Sequence, residues 1–171
     1  MADNGLNRDF YMNDCLTVAP LLLGKNLVRR FEDGSIKKFK ITETEAYRGE
    51  EDSACHAKCG RTKRNYVLYE SGGIAYVYLC YGIHNLLNVV TEEKDNPQAV
   101  LIRGVEGFQG PGKVTKALLI DRSYNLESFV DSERLYIEDD FKKYNYKTSK
   151  RVGIGYADEE YREKEWRFIL E

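Results

Sequence analysis

Ile74-Ala75-Tyr76-Val77-Tyr78-Leu79-Cys80-Tyr81-Gly82-Ile83-His84-Asn85 carries the pattern from which the fold follows. It alternates and is rich in β-branched and aromatic residues, as a strand is. Tyr81-Gly82 marks a turn, and a second apolar run follows from Leu86 to Val90. The stretch reads as a β-hairpin. Tyr76, Tyr78 and Tyr81 each bring a hydroxyl that a strand must either pair or leave wet. Flat, polar-edged rings near a hairpin tip suit flat ligands, and nucleobases are the commonest of these. An ordinary sheet with tyrosines at its wet rim has the same composition.

Outward from the hairpin, Asn13 is a capping residue followed by apolar residues at helical spacing, which predicts a helix over Asn13 to Leu23, ended by Gly24. Lys25 to Phe31 and Ile36 to Tyr47 read as strands around the turn Glu32-Asp33-Gly34. A charged loop from Arg48 to Arg64 follows, with a short helix expected around Asp52 to Lys58. Beyond the hairpin, strands are expected at Ala99 to Arg103, Arg134 to Glu138 and Arg167 to Leu170. Gly110-Pro111-Gly112-Lys113 opens a helical stretch over Val114 to Leu119, proline being favoured just inside a helix start. Strands outnumber helices and hairpins outnumber crossovers. The fold class expected is therefore α+β, a single mixed domain with a curved, largely antiparallel β-sheet, peripheral helices and a protruding hairpin.

The 171 residues include 26 Lys and Arg against 28 Asp and Glu, a net charge of -2, with 42% hydrophobic and 32% charged content. That composition fits a globular domain in water. The first residues lack a signal-peptide pattern, and no apolar run reaches the length of a membrane span. A cytoplasmic place, nucleoid-associated if the source is bacterial, is the expectation, with no membrane partner. Cys55 and Cys59 make one metal-like pair, whereas a structural zinc site usually has two. With Cys15 and Cys80 standing alone, reduced thiols and no metal are expected. The charge distribution says more than its sum. Lys58, Arg61, Lys63 and Arg64 form one acid-free basic stretch; Lys142, Lys143, Lys147, Lys150 and Arg151 form another. Both are candidate phosphate faces, and both patterns also occur in solvated loops.

Strand alternation puts Glu43, Glu45 and Tyr47 on one face of a strand. A carboxylate there could activate a water or stabilise a developing positive charge, although a solvated strand face looks the same. Arg103 emerges from an apolar strand, where it could hold a phosphate or a carboxylate. Asn88 lies within an apolar run, and a buried amide needs partners that a base edge can supply. Lys113 and the backbone around it could meet a phosphate, but no complete nucleotide-binding fingerprint is present.

Taken in order, Glu43-Thr44-Glu45-Ala46-Tyr47, Glu51-Asp52, His56, Arg64-Asn65, Tyr76-Val77-Tyr78, Tyr81-Gly82, Asn88, Leu101-Ile102-Arg103, Gly110-Pro111-Gly112-Lys113 and Arg151-Val152-Gly153 resemble the alkyladenine (3-methyladenine, methylpurine) DNA glycosylase family. The resemblance runs from about Gly24 to the C-terminal residues. It implies a monofunctional, cofactor-free, monomeric enzyme that flips damaged purines out of double-stranded DNA and hydrolyses the N-glycosidic bond. By that resemblance Glu45 would be the general base, and Arg103 and the Val152 carbonyl would position the water. Tyr47, His56 and Tyr78 would enclose the base, and Asn88 would disfavour guanine. Tyr81 would wedge into the duplex as the DNA-inserting tip of the hairpin. Lys58, Arg61, Lys63, Arg64, Lys113, Lys150 and Arg151 are the expected phosphate contacts. Two residues depart from the family pattern: His84 near the hairpin tip, and Arg48, which would add a cation beside the pocket. A non-catalytic nucleic-acid-binding module is the alternative.

Overall fold

The structure is a computed structural model and describes residues 4–171. Helices α1 (Arg8–Tyr11) and α2 (Cys15–Leu22) precede strands β1 (Asn26–Arg30) and β2 (Ile36–Tyr47). The hairpin follows as β3 (Ala75–Cys80) and β4 (His84–Thr91), then β5 (Gln98–Val105) and β6 (Phe108–Gln109). α3 (Pro111–Leu118), β7 (Leu135–Glu138), β8 (Tyr146–Ser149), α4 (Glu159–Arg162) and β9 (Arg167–Leu170) come after. The strands run antiparallel in the order β3-β4-β5-β2-β1-β7, with β6 on β5 and β9 joining β2 to β8. The fold is α+β around a curled antiparallel sheet.

β2 produces the curl. Its first half, from Ile36 to Lys40, pairs with β1, whereas Ile41 to Tyr47 pair with β5. The register shifts between Ile41 and Thr44, and such irregularities bend a strand and strengthen its twist. β9 occupies the other edge at Glu43 to Glu45. Glu45 thus sits between Leu101 on β5 and Arg167 on β9, in the middle of the sheet.

Alternation along β2 then separates core from site. Thr44 and Ala46 face α2, where the Thr44 hydroxyl donates to the Ala19 carbonyl at 2.9 Å. Cys15, Val18, Ala19 and Leu22 of α2 pack with Leu27, Ile41, Val100 and Ile102 in the main apolar cluster. Fully burying one such aliphatic side chain stabilises the fold by about 1.5–3 kcal/mol. Glu43, Glu45 and Tyr47 face the other way.

Two local expectations are corrected. α2 starts at Cys15 and is capped by Asp14, whose carboxylate accepts from the Leu16 amide at 2.9 Å; Asn13 instead donates back to the Asp9 and Phe10 carbonyls. No helix forms over Asp52 to Lys58. A 3₁₀ turn at Gly49–Glu51 is followed by consecutive tight turns, because the Asp52 carboxylate captures the Arg48 and Ala54 amides at 3.0 Å each. The short elements α1, β6, β8 and α4 carry too few residues to show a period. Among the described residues no helix is long and apolar enough to cross a membrane.

Candidate active site

Glu45 is 0% exposed, and three groups from three parts of the chain hold its carboxylate. The Val152 amide donates to Oε2 at 2.6 Å, the Tyr47 hydroxyl donates to Oε1 at 3.1 Å, and the Arg103 guanidinium lies 3.4 Å from Oε1. Burial raises the carboxyl's pKa above the ordinary value, and Arg103, the Val152 amide and the Tyr47 hydroxyl each pull it back down. The acid is therefore desolvated yet still supported in its ionised form.

Arg103 stands in a row of alternating charge. Its Nε is 3.8 Å from Glu43, and Glu43 in turn accepts from Arg167 Nε at 2.6 Å. The expected face of Glu43, Glu45 and Tyr47 is thus real, and it is an ionic face rather than a solvated one.

The Val152 amide is placed by its neighbour. Arg151 was expected at a phosphate, but its side chain is 0% exposed and grips Asp52 bidentately at 2.6 and 2.9 Å. It also donates to the Ala46 carbonyl at 2.9 Å and lies over the rings of Tyr47 and Trp166, at 4.8 and 5.0 Å from their centres. A guanidinium so enclosed cannot reach DNA; it pins the Val152 segment against β2. Arg48 is corrected similarly. It pairs with Asp14 at the start of α2, at 2.8 Å, and with Glu51 in the 3₁₀ turn, and does not line the aromatic pocket.

Beside Glu45 lies a cavity of about 40 Å³ lined by Tyr47, His56, Tyr76, Tyr78, Asn88 and Tyr156, among others. His56 and Tyr78 lie 4.4 Å apart between ring centres, and His56 Nδ1 meets the Tyr76 hydroxyl at 2.9 Å. Desolvation by the walls around the ring, with Arg64 nearby, lowers its pKa to about 4, so the imidazole is neutral at physiological pH although the residue stands at the exposed rim. Tyr76 is buried and serves to orient His56, and the buried Asn88 amide donates to the Tyr76 carbonyl at 3.2 Å. Sequence reasoning missed Tyr156 and the bracing pairs Arg151–Asp52 and Arg167–Glu43; no local pattern points to any of them.

The cavity continues into a cleft of about 610 Å³ that also meets Arg103, Val152, Lys113, Tyr81 and His84. Tyr81, at 88% exposure, stands at the hairpin tip, and Tyr81 and Gly82 have φ of 51° and 66°. These are the two left-handed residues of a tight turn, closed by the Ile83 amide donating to the Cys80 carbonyl at 3.1 Å. His84 lies against the start of α3, where a Cβ on Gly112 would come within 2.9 Å of its ring. The Thr115 hydroxyl adds a bond to the Asn85 carbonyl at 2.7 Å, so α3 braces the hairpin. Of the basic candidates, Lys58, Lys63 and Lys113 are exposed. Arg64 stacks over Tyr78 at 5.7 Å, Arg61 lies 3.7 Å from Asp95, and Lys150 pairs with Glu163. Among the described residues no three His, Cys, Asp or Glu side chains converge as a metal site would require.

This geometry suits a buried acid acting beside a flat aromatic slot. The model of the methylpurine-DNA glycosylase family matches residues 9–110 and 106–171. A protein of Borreliella afzelii (strain PKo) named "Putative 3-methyladenine DNA glycosylase" is 42% identical, covering 97% of this chain and 96% of its own. Similar proteins of the same name occur in Desulfitobacterium hafniense (strain Y51), 42% identical over 97% of this chain and 95% of theirs, and in Clostridium perfringens (strain 13 / Type A), 41% identical over 96% and 95%. The chain belongs to the methylpurine-DNA glycosylase family, hydrolases that act on N-glycosyl bonds.

Proposed function

We propose that the protein excises damaged purines from double-stranded DNA by extruding the nucleotide and hydrolysing its glycosidic bond with a water activated by Glu45. The observation that carries this reading is the buried Glu45 carboxylate, braced by Arg103 and the Val152 amide, opening beside an aromatic slot. As the C1′–N bond breaks, its electron pair leaves with the base and the sugar becomes oxocarbenium-like. Water oxygen bonds to C1′, and Glu45 takes the proton that this water releases. An ionised carboxylate nearby also stabilises the cationic sugar. The desolvation that raises the pKa of Glu45 makes it a stronger base.

Tyr47 on one side and His56 with Tyr78 on the other would sandwich the extruded base. Alkylated, cationic purines such as 3-methyladenine favour such electron-rich walls. Hypoxanthine and ethenoadenine are neutral candidates for the same slot. Asn88, anchored to the Tyr76 carbonyl, stands where it would obstruct the exocyclic amine of guanine. Tyr81 at the tip would fill the gap left in the duplex, while Lys58, Arg61, Lys63, Arg64, Lys113 and Lys150 face outward for phosphates. Acid, slot and wedge all come from one chain, which supports action as a monomer on cytoplasmic DNA.

The test is single-turnover release of base from methylated duplex. Glu45→Gln should lower it about 10²–10⁴-fold, the span of general base catalysis, while duplex binding persists. Full release by that variant would overturn the role of Glu45. Binding without any release by the parent would favour a non-catalytic module.

A further inference from the structure

Tyr156 is the residue of the aromatic slot whose side chain is held by one hydrogen bond to the loop after β2. Its ring lines both the inner cavity and the outer cleft, yet the residue is 67% exposed. Its hydroxyl makes one bond, donating to the Ala54 carbonyl at 2.8 Å across 102 positions of sequence. The chain on either side is fixed. Ile154 and Ala157 are buried together with Ala54 against Tyr47, the Ala157 amide donates to the Ile154 carbonyl at 3.0 Å, and the Asp158 amide donates to Ser53 Oγ at 2.9 Å. The backbone is pinned at several points, the side chain at the Ala54 carbonyl.

The inner cavity opens into the larger cleft between walls that the two share, Tyr47, His56, Tyr78 and Tyr156 among them, so a base that enters passes beside Tyr156. Tyr47, Tyr76 and Tyr78 are packed into the second apolar cluster, and Asn88 is buried. Of the two exposed wall members, His56 is held by the Tyr76 hydroxyl and by ring contacts with Tyr76 and Tyr78, whereas the Tyr156 side chain is held by one hydrogen bond. We propose that Tyr156 is a specificity gate over the base slot: its latch to Ala54 closes on compact purines and resists purines widened by a further fused ring. This rests on the glycosylase reading above. A wide base keeps the ring swung out and the latch broken, whereas a compact one allows it to re-form. The penalty therefore falls on one class of lesion.

The experiment compares the parent with Tyr156→Phe, which keeps the ring and loses the latch, and Tyr156→Ala, which removes the gate. Single-turnover release is measured from methylated duplex, read as 3-methyladenine, and from duplex carrying 1,N6-ethenoadenine, with thermal unfolding recorded for each protein. Tyr156→Phe should raise the ratio of ethenoadenine to 3-methyladenine release about 2- to 12-fold, the range spanned by one hydrogen bond, and Tyr156→Ala should raise it at least as far. A merely structural role would change Tm and leave the ratio alone. An unchanged or lowered ratio, or no ethenoadenine release from any of the three while 3-methyladenine is released, overturns the gate. A parent that releases no base from methylated duplex overturns the glycosylase reading itself, and the gate with it.

Discussion

The backbone amide of Val152 lies 2.6 Å from Glu45 Oε2, across 107 positions of chain. With Arg103 and Tyr47 at the other oxygen, a carboxylate without solvent exposure is left with support for its charge from strand β5, strand β2 and the C-terminal loop. The balance between burial and these partners sets where the acid titrates.

The first prediction concerns that balance. Glu45 must be ionised to act as a base, so activity falls as pH falls through its pKa, which burial holds above the ordinary glutamate value. Arg103 opposes the rise, so Arg103→Gln should move the acid limb of single-turnover base release to higher pH, with a lower plateau rate. A limb that stays put or moves down would show that Arg103 does not stabilise the anion.

His56 should be silent in the same profile. Its pKa is lowered to about 4, chiefly by desolvation. The imidazole is then neutral throughout the range of about pH 5 to 8 in which an ordinary histidine titrates. NMR of the imidazole protons should show His56 without a titration step there. A midpoint near 6.5 would mean that the slot opens freely to water.

Arg151 is a stability residue. Arg151→Ala would leave the Asp52 carboxylate buried without its partner and should cost about 3–5 kcal/mol in denaturant unfolding. The loosened Val152 segment would also lower base release. A cost below about 1 kcal/mol would place the pair among surface bridges instead.

Tyr81→Asn separates binding from folding. The tip residue adopts φ 51° and is almost fully exposed, a backbone state that asparagine tolerates better than tyrosine. Stability should hold or rise slightly, while affinity for lesion duplex falls by about 1–3 kcal/mol, the worth of one stacked aromatic. An unchanged affinity would remove the wedge role.

The hairpin and the ionic face of β2 were legible in the sequence because a period of two leaves its mark over a few consecutive residues. Glu43, Glu45 and Tyr47 could be placed together before any partner was known. Arg151 could not. Within its own stretch it is one more cation among lysines, and the aspartate that buries it lies 99 positions earlier. Arg48 misleads for the same reason, since its partner Asp14 is 34 positions away. The resemblance gave the Val152 carbonyl a part in positioning the water; that the Val152 amide also reaches Glu45 is a matter of main-chain orientation that side-chain identity does not encode. Tyr156 gave no signal because its importance lies in what the rest of the wall cannot do.

The crossing of β9 and the Val152 segment over β2 has a consequence for how the protein comes into being. Until residues from about 150 onward have docked, Glu45 is an ordinary wet carboxylate on an open strand, with neither its amide partner nor the Arg167–Glu43 brace that steadies Arg103. The desolvated acid is assembled by the last-translated part of the described chain. On the proposed reading, a partly unfolded molecule would therefore present no braced carboxylate to DNA.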